Sequence, residues 1–390
     1  MPAGARADRL ISLILFLGCF LILLRTTAPT LVAGDSGELV VAAHTLGVPH
    51  PPGYPLFALL GKIFTLLACG GISFRVNLMC ATAVSGSVVA LYCLLRATGA
   101  EWFSALLASL AAFSVPACFS QGTSAEVYAL AGLLTVIFVW FCLREAAGDS
   151  WLKRQSWLVV WLLFGLGLTG HYWFVLLGPL ALFSTWKRLR ISIRNILLAG
   201  FALSLGFSCV FILPLRSAKN PEANWGKPVS ARSFWNVLAR GQYGVSWSKT
   251  RSWPRTIRQV EHLLNEACSG GRLVLPFLFI IGLCSRRYKK SARGLLLGGA
   301  ILSGIGTVVV VNYSLTEPAL EAVRPFFVPF HFLLQGGAGL GLNVVFERLA
   351  KYRSPVLTYL MGAVAIAGVG MFLWTSAVDG SRREDEVAYQ

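Results

Sequence analysis

Runs of about 20 apolar residues recur along this chain, and no other feature limits its fold so tightly. A hydrocarbon core about 30 Å thick is crossed by about 20 residues of helix. Val76–Leu95, Trp102–Phe119, Val127–Leu143, Asn195–Leu215, Gly294–Tyr313, Phe326–Phe346 and Pro355–Ala377 all approach that length. Leu10–Leu24 is shorter, follows Arg6 and Arg9, and has no small-residue cleavage site behind it, so it reads as a retained first helix. Gln155–Trp186 carries no Asp, Glu, Lys or Arg. As a single helix it would run about 48 Å at about 1.5 Å per residue, too long for one crossing, and Gly170-His171 near its middle predicts a hairpin. The chain is 56% hydrophobic and 13% charged, against about 25% charge in soluble domains. That balance excludes both a soluble enzyme and a disordered chain. The pattern describes an all-α polytopic membrane protein, one membrane domain over 1–378 with a short polar tail at 379–390.

The charge sets the topology. Lys and Arg number 34 against 17 Asp and Glu, a net of +17. On a soluble protein this would point to nucleic acid, but on an apolar chain it marks cytoplasmic loops, and no nucleic-acid partner is expected. Tyr54–Cys69 is the ambiguous segment, interrupted by Lys62 and preceded by Pro49-His50-Pro51-Pro52-Gly53. Counted as a span, it gives twelve crossings and puts the clusters at 144–154, 187–194, 286–293 and 348–353 outside. As a helix lying on the outer surface, it leaves all of them inside with Arg96 and the N-terminus. The positive-inside rule favours this second arrangement: eleven spans, N-terminus in, C-terminus out, with external loops at 25–75 and 216–271. The second loop is itself basic from Arg216 to Arg258 against only Glu222, Glu261 and Glu266, so its charge calls for a reason other than orientation. The nine cysteines are scattered without CxxC or Cys/His ligand spacing, which indicates neither a disulfide framework nor a zinc site. With no organelle address visible, a bacterial plasma membrane is expected.

Polar residues at the outer surface are scarce enough to single out. Asp35 and Glu38 lie three apart, on one face of a helix starting at Ser36 and at its positive end. A carboxylate there can act as a general base or bind a divalent cation, or simply cap the helix. Glu126 follows Thr123 with capping-box spacing. His171 sits at the hairpin tip among aromatics, where a satisfied interfacial histidine is the ordinary reading. Arg216 and Arg324 flank spans at headgroup depth, able to grip phosphate with a planar fork or to snorkel. Trp225 and Tyr243 lie in the loop rather than at predicted interfaces, where their faces can stack on a sugar. Asp35, Glu38, His50, Glu126 and His171 all fall on the outer side.

The run Gly34-Asp35-Ser36-Gly37-Glu38-Leu39, followed by Gly47-Val48-Pro49-His50-Pro51-Pro52-Gly53-Tyr54-Pro55-Leu56-Phe57, closely resembles the signature of one membrane family. That family, long catalogued as a domain of unknown function, includes animal membrane O-mannosyltransferases and many bacterial proteins. Ala125-Glu126-Val127-Tyr128, the stretch ending at His171, Leu213-Pro214-Leu215-Arg216-Ser217, and Asn224-Trp225-Gly226 followed by Gln242-Tyr243 are similar to its further motifs, in the same order. The resemblance covers roughly residues 10 to 335. It implies a GT-C-like helical bundle that moves a sugar from a polyprenyl-phosphate donor to a hydroxyl of a protein or glycan acceptor on the non-cytoplasmic face. Asp35 takes the position of the loop carboxylate and is expected to be the base, with Glu38 beside it. His50, Tyr54, Glu126, Tyr128, His171, Arg216, Asn224, Trp225, Tyr243 and Arg324 are expected to bind donor or acceptor. No cofactor is required by this chemistry; a divalent metal is compatible with it but not indicated. The competing class is a transporter or lipid-linked-sugar flippase. Against it, the spans hold almost no charge and show no inverted repeat.

Overall fold

The computed structural model describes residues 3–148, 155–243, 252–268 and 274–351. Among them the chain is helical, with one isolated bridge between Val48 and Asn224 and no strand. In order the helices are α1 (Ala3–Thr26), α2 (Ser36–Thr45), α3 (Pro55–Thr65), α4 (Ile72–Ala97), α5 (Trp102–Phe113), α6 (Pro116–Ser120), α7 (Val127–Ala147) and α8 (Ser156–Gly170). A tight turn at Tyr172–Leu177 leads to α9 (Gly178–Leu189), α10 (Ile193–Phe207), α11 (Ile212–Ser217), α12 (Ala231–Leu238) and α13 (Trp253–Cys268). α14 (Val274–Cys284), α15 (Lys290–Ser303), α16 (Ile305–Val311), α17 (Glu317–Val323) and α18 (Val328–Lys351) complete the set.

Six segments, Ala5–Thr26, Ile72–Ala97, Val127–Ala147, Ile193–Ser217, Lys290–Val311 and Glu317–Lys351, are long and apolar enough to cross a membrane. α5, α8 and α14 are apolar but shorter. The chain runs back and forth between two ends. At one end Arg96 pairs with Asp8 at 2.8 Å, Arg188 with Glu145 at 3.2 Å and Arg287 with Glu347 at 2.8 Å. Arg287 also donates to Gly99 O, and Lys289 to Ala147 O. At the other end Ala28 N donates to Thr123 O, and Trp225 N to Val48 O. The predicted hairpin is present: α8 stops at Gly170 and the chain returns through α9. α3, with 11 residues, is about 17 Å long at about 1.5 Å per residue, half the hydrocarbon thickness. It does not reach across, and it packs on α2 and α4 instead. The expected span Pro355–Ala377 and the tail lie outside the described residues.

α4, α7 and α18 form the centre, with 78%, 72% and 89% of their apolar windows buried, while α1 has 17% buried. Leu10, Leu13, Ile14, Leu17 and Leu21 of α1 and Leu197, Phe201 and Leu205 of α10 face outward, as an apolar solvent requires. Without a hydrophobic drive between helices in lipid, close backbone approach holds such bundles together. A methyl at Gly165 would overlap Leu203 O, and one at Gly206 would overlap Leu162 O, so α8 and α10 meet backbone to backbone.

Candidate active site

The site grows from the two ends of α2. At its C-terminus the last carbonyls are claimed by cations, which suits the negative pole of a helix. Lys62 Nζ donates to His44 O at 2.7 Å, and Arg216 donates to Thr45 O at 2.8 Å and Leu46 O at 3.1 Å. The chain then turns at Gly47, where a Cβ would lie 2.5 Å from Ala223 O. Val48 N donates to Ala223 O at 2.7 Å and Trp225 N to Val48 O at 2.9 Å, docking the 217–226 loop on this turn. Asn224 accepts from Ser217 Oγ at 2.8 Å and closes that loop. Arg216 and Asn224 are thus committed to framework contacts that position α2.

At the N-terminus Asp35 occupies the capping position, yet its side chain makes no capping bond. The proline run brings His50 back to α2 instead. His50 N donates to Glu38 Oε1 at 2.7 Å, and Nδ1 lies 2.9 Å from Glu38 Oε2. Both Glu38 oxygens are occupied by one residue, which fixes the ring and turns Nε2 toward Asp35 Oδ2 at 3.7 Å. Side-chain exposure falls from 58% at Asp35 to 23% at Glu38 and 14% at His50, so Asp35 is presented and Glu38 holds. The three residues offer metal-type ligand atoms within 4.8 Å of one another. With Glu38 engaged, Asp35 Oδ2 and His50 Nε2 are the atoms left to face a cation, Glu38 orienting the histidine from behind. A divalent ion there would take its remaining ligands from water or substrate.

Glu126 caps nothing either. It precedes α7 in extended conformation with no side-chain cap bond, and Thr123 Oγ1 donates to Ser120 O at 2.8 Å. The Thr123/Glu126 spacing therefore does not make a capping box. Cys80 Sγ lies 3.5 Å from both the N and the O of Glu126 and anchors its backbone. Burial pushes the Glu126 carboxyl up to about 7, the negative charge of Asp35 adding to the rise and His50 opposing it.

Next to this cluster a group of aromatic rings packs around His171. Its ring lies 5.7 Å from Tyr54, 5.1 Å from Tyr128, 4.7 Å from Tyr172 and 5.4 Å from Phe326. Tyr54 also stands edge-on to His50 at 5.1 Å, joining the aromatic group to the cluster. His171 Nδ1 accepts from Trp173 N at 3.4 Å, while Nε2 is buried without a hydrogen-bond partner among the described residues. Burial, reinforced by the positive charges of Arg240 and His50, holds His171 well below the usual histidine range, so it is neutral. The Arg240 guanidinium sits 4.1 Å from the Tyr172 ring centre.

Asp35, Glu38, His50, Tyr54, Glu126, Tyr128 and His171 are therefore assembled as one site. Arg324 is turned to carboxylates, with Nε 3.1 Å from Glu266 and Nη1 3.5 Å from Glu321. Trp225 lines a groove with Gly37, Glu38 and Val41 of α2, outside the aromatic contacts of His171. Tyr243 ends the short turn Gly241–Tyr243 at the edge of the described residues. Sequence reasoning overlooked Arg240, Tyr172 and Phe326. Arg240 opens the Arg-Gly-Gln-Tyr-Gly stretch, but no local signal places the end of α12 over the end of α8.

The model of the Protein O-mannosyl-transferase TMEM260 N-terminal domain matches residues 35–192, beginning at Asp35 itself. Protein O-mannosyl-transferase TMEM260 of Mus musculus is 28% identical over 332 residues, covering 81% of this chain and 47% of the mouse protein. Protein O-mannosyl-transferase tmem260 of Dictyostelium discoideum is 26% identical over 251 residues, covering 60% of this chain and 30% of that protein. The chain thus spans about half the length of the mouse relative and less of the other. Among solved structures, ArnT from Cupriavidus metallidurans bound to undecaprenyl phosphate matches with a TM-score of 0.63 at 14% identity, over 94% of this chain and 63% of ArnT. Apo ArnT gives 0.59 at 15% identity, over 95% of this chain and 72% of ArnT. The resemblance read from the motifs holds, and the fold is the GT-C bundle of ArnT.

Proposed function

We propose that this chain transfers a sugar from a polyprenyl-phosphate carrier to a hydroxyl group of a polypeptide, with Asp35 as general base. The observation that carries the proposal is the Asp35 carboxylate, exposed and free of its helix, set 3.7 Å from a histidine whose other nitrogen is fixed by Glu38. Asp35 takes the proton of the acceptor hydroxyl. The acceptor oxygen bonds to the anomeric carbon, the bond from that carbon to the phosphate oxygen breaks, and the polyprenyl phosphate leaves with the bond's electrons. General base catalysis of this kind contributes about 10²–10⁴-fold.

The relatives' names support a protein acceptor and mannose as the sugar, and the ArnT neighbour crystallised with undecaprenyl phosphate supports a polyprenyl carrier. For the leaving phosphate we assign Arg240, whose guanidinium lies 4.1 Å from the ring centre of Tyr172, itself stacked on His171. Such a cation acts on charge that develops in the transition state. Tyr54, Tyr128 and the neutral His171 would then bound the sugar. Because the leaving group is already a phosphate, the step as written uses no metal. The site end would face the non-cytoplasmic side, since the other end holds the basic turns.

The test is transfer of labelled mannose from polyprenyl-phosphate mannose to a serine-containing peptide by the chain in proteoliposomes. Asp35→Asn is expected to lower turnover at least about 10²-fold; near-normal turnover removes Asp35 from the base role. Movement of the labelled lipid across the vesicle without a new glycosidic bond would instead establish a flippase.

A further inference from the structure

Beside the first turns of α2 lies an open groove of about 710 Å³, and nothing in the step described so far occupies it. One wall is the first turns of α2, at Gly37, Glu38 and Val41; the other is the loop from Glu222 to Gly226. Its chemistry is uneven. Glu222 is exposed, Glu38 enters from the catalytic side, and no Lys or Arg lines it. Trp225 is 48% exposed although its own backbone is pinned by the bond to Val48 O. The loop beyond it is equally fixed: Gly226 has φ 64, and a Cβ there would lie 2.5 Å from Val237 and 2.6 Å from Gln242. At Gly37 a Cβ would meet nothing nearer than Leu31 at 3.9 Å, so the floor of the groove is bare backbone with room above it.

Those features select an occupant. With Glu222 exposed and no Lys or Arg in its lining, the groove offers an ionic partner to a basic side chain and none to a phosphate. An exposed indole on a pinned backbone, sharing the groove with an exposed carboxylate, is a receptor for a Lys or Arg side chain, which gains from the ring face and from the charge together. A bare floor admits a main chain at close range. The groove also opens on Glu38, one helical turn from Asp35, so a hydroxyl carried by its occupant has only the first turn of α2 to cross.

We infer that the Glu38–Glu222–Trp225 groove is the acceptor site, and that it takes an extended polypeptide segment with a basic residue near the hydroxyl to be modified. The inference rests on the transfer reading above and specifies its acceptor.

The experiment uses the chain in proteoliposomes, labelled polyprenyl-phosphate mannose, and two serine peptides that differ only in Lys or Glu flanking the serine. Transfer, release of free mannose in the absence of peptide, and direct peptide binding by the solubilised chain are measured. The Lys-flanked peptide is expected to be used about tenfold better than the Glu-flanked one, within the range of a partly desolvated charge pair together with a cation–π contact. Glu222→Lys should reverse or abolish that preference, and Trp225→Ala should raise the KM for the Lys-flanked peptide about tenfold. Glu222→Lys should leave the KM for the donor and the peptide-free release unchanged. Equal use of the two peptides, or a preference untouched by Glu222→Lys, overturns the inference. If wild type releases and transfers no mannose, yet binds the Lys-flanked peptide in a Glu222-dependent way, the groove stands and the transfer reading falls. Loss of both kinds of signal removes both.

Discussion

The two ends of the bundle are charged in opposite styles. At the basic end three acids are held by cations: Asp8 accepts from Tyr92 OH at 2.6 Å and Arg96 Nε at 2.8 Å, Glu145 pairs with Arg188, and Glu347 with Arg287. At the other end Asp35, Glu38 and Glu126 gather around a single histidine, His50. Of the cations at this end, Lys62 and Arg216 are directed to backbone carbonyls and Arg324 to Glu266. Paired charge fixes loops to one another; crowded like charge keeps at least one carboxyl ready to change its proton. The largest expected effects separate the two styles. Asp35→Asn should lower mannose transfer by about 10²–10⁴-fold with no loss of thermal stability in detergent, because no capping bond is broken. Asp8→Ala should do the reverse, lowering stability by about 2 kcal/mol through the stranded Arg96 and Tyr92, with turnover of the folded fraction unchanged. An Asp35→Asn protein that melts early, or an Asp8→Ala protein that is folded but inactive, would break the comparison.

Glu126 gives the comparison a pH axis. Its carboxyl ordinarily titrates near 4.5 and is raised to about 7 in the folded chain. The folded state therefore holds the proton more tightly than the unfolded one between those values, and ionised Glu126 destabilises it. Below pH 4.5 it costs nothing; the penalty grows as pH rises through that window and is complete above 7. The shift corresponds to up to about 3 kcal/mol. Glu126→Gln, which keeps the shape of the protonated form, should leave the melting temperature unchanged at pH 4.5 and raise it above wild type at pH 8. Melting curves that stay superimposed at pH 8 would show that the carboxyl is not strained.

Much of the bundle is legible in the sequence because lipid makes each pass declare itself in hydrophobicity and each turn of the basic end in charge. The hairpin at Gly170-His171 and the short α3 follow from length and charge arithmetic alone. Asp35, Glu38 and His50 are legible as a motif, being close in sequence. What escaped depends on register or distance. Thr123 and Glu126 have capping-box spacing, but α7 starts at Val127, so Glu126 is itself the flanking residue and its carboxyl is freed. Arg216 looked like a phosphate ligand because nothing local reveals that its guanidinium reaches back 170 residues to Leu46 O. Arg240 went unnoticed for the same reason: its neighbour Tyr172 belongs to a different pass.

The arginines allow a finer division. Arg240→Ala is expected to raise the KM for the polyprenyl-phosphate donor about tenfold, as loss of a charge-assisted contact does. Arg216→Ala should leave donor KM unchanged but cost about 1–2 kcal/mol, because two carbonyls at the end of α2 lose their donor. A donor KM that follows Arg216 rather than Arg240 would exchange their roles.

The smallest effect is expected at Arg324, and it tests whether pairing or position governs a charge. Arg324 lies at the site end, only two residues before Phe326, which touches both Tyr128 and His171. By position it belongs to the active site, yet by its partners it resembles the basic end: its guanidinium meets Glu266 at 3.1 Å and Glu321 at 3.5 Å. Its side chain is 44% exposed, that of Glu321 68% and that of the nearer Glu266 17%, so water and salt reach the guanidinium and screen the Glu321 pair most, and pairs with one exposed member contribute about 0–1 kcal/mol. Arg324→Gln should therefore lower stability by at most about 1 kcal/mol and leave donor KM within about twofold of wild type, since a screened pair of this size changes an equilibrium only a few-fold. A rise in donor KM comparable to that of Arg240→Ala would mean that the two carboxylates release Arg324 when the phosphate arrives, and that pairing in the unliganded chain does not decide which charges serve the reaction.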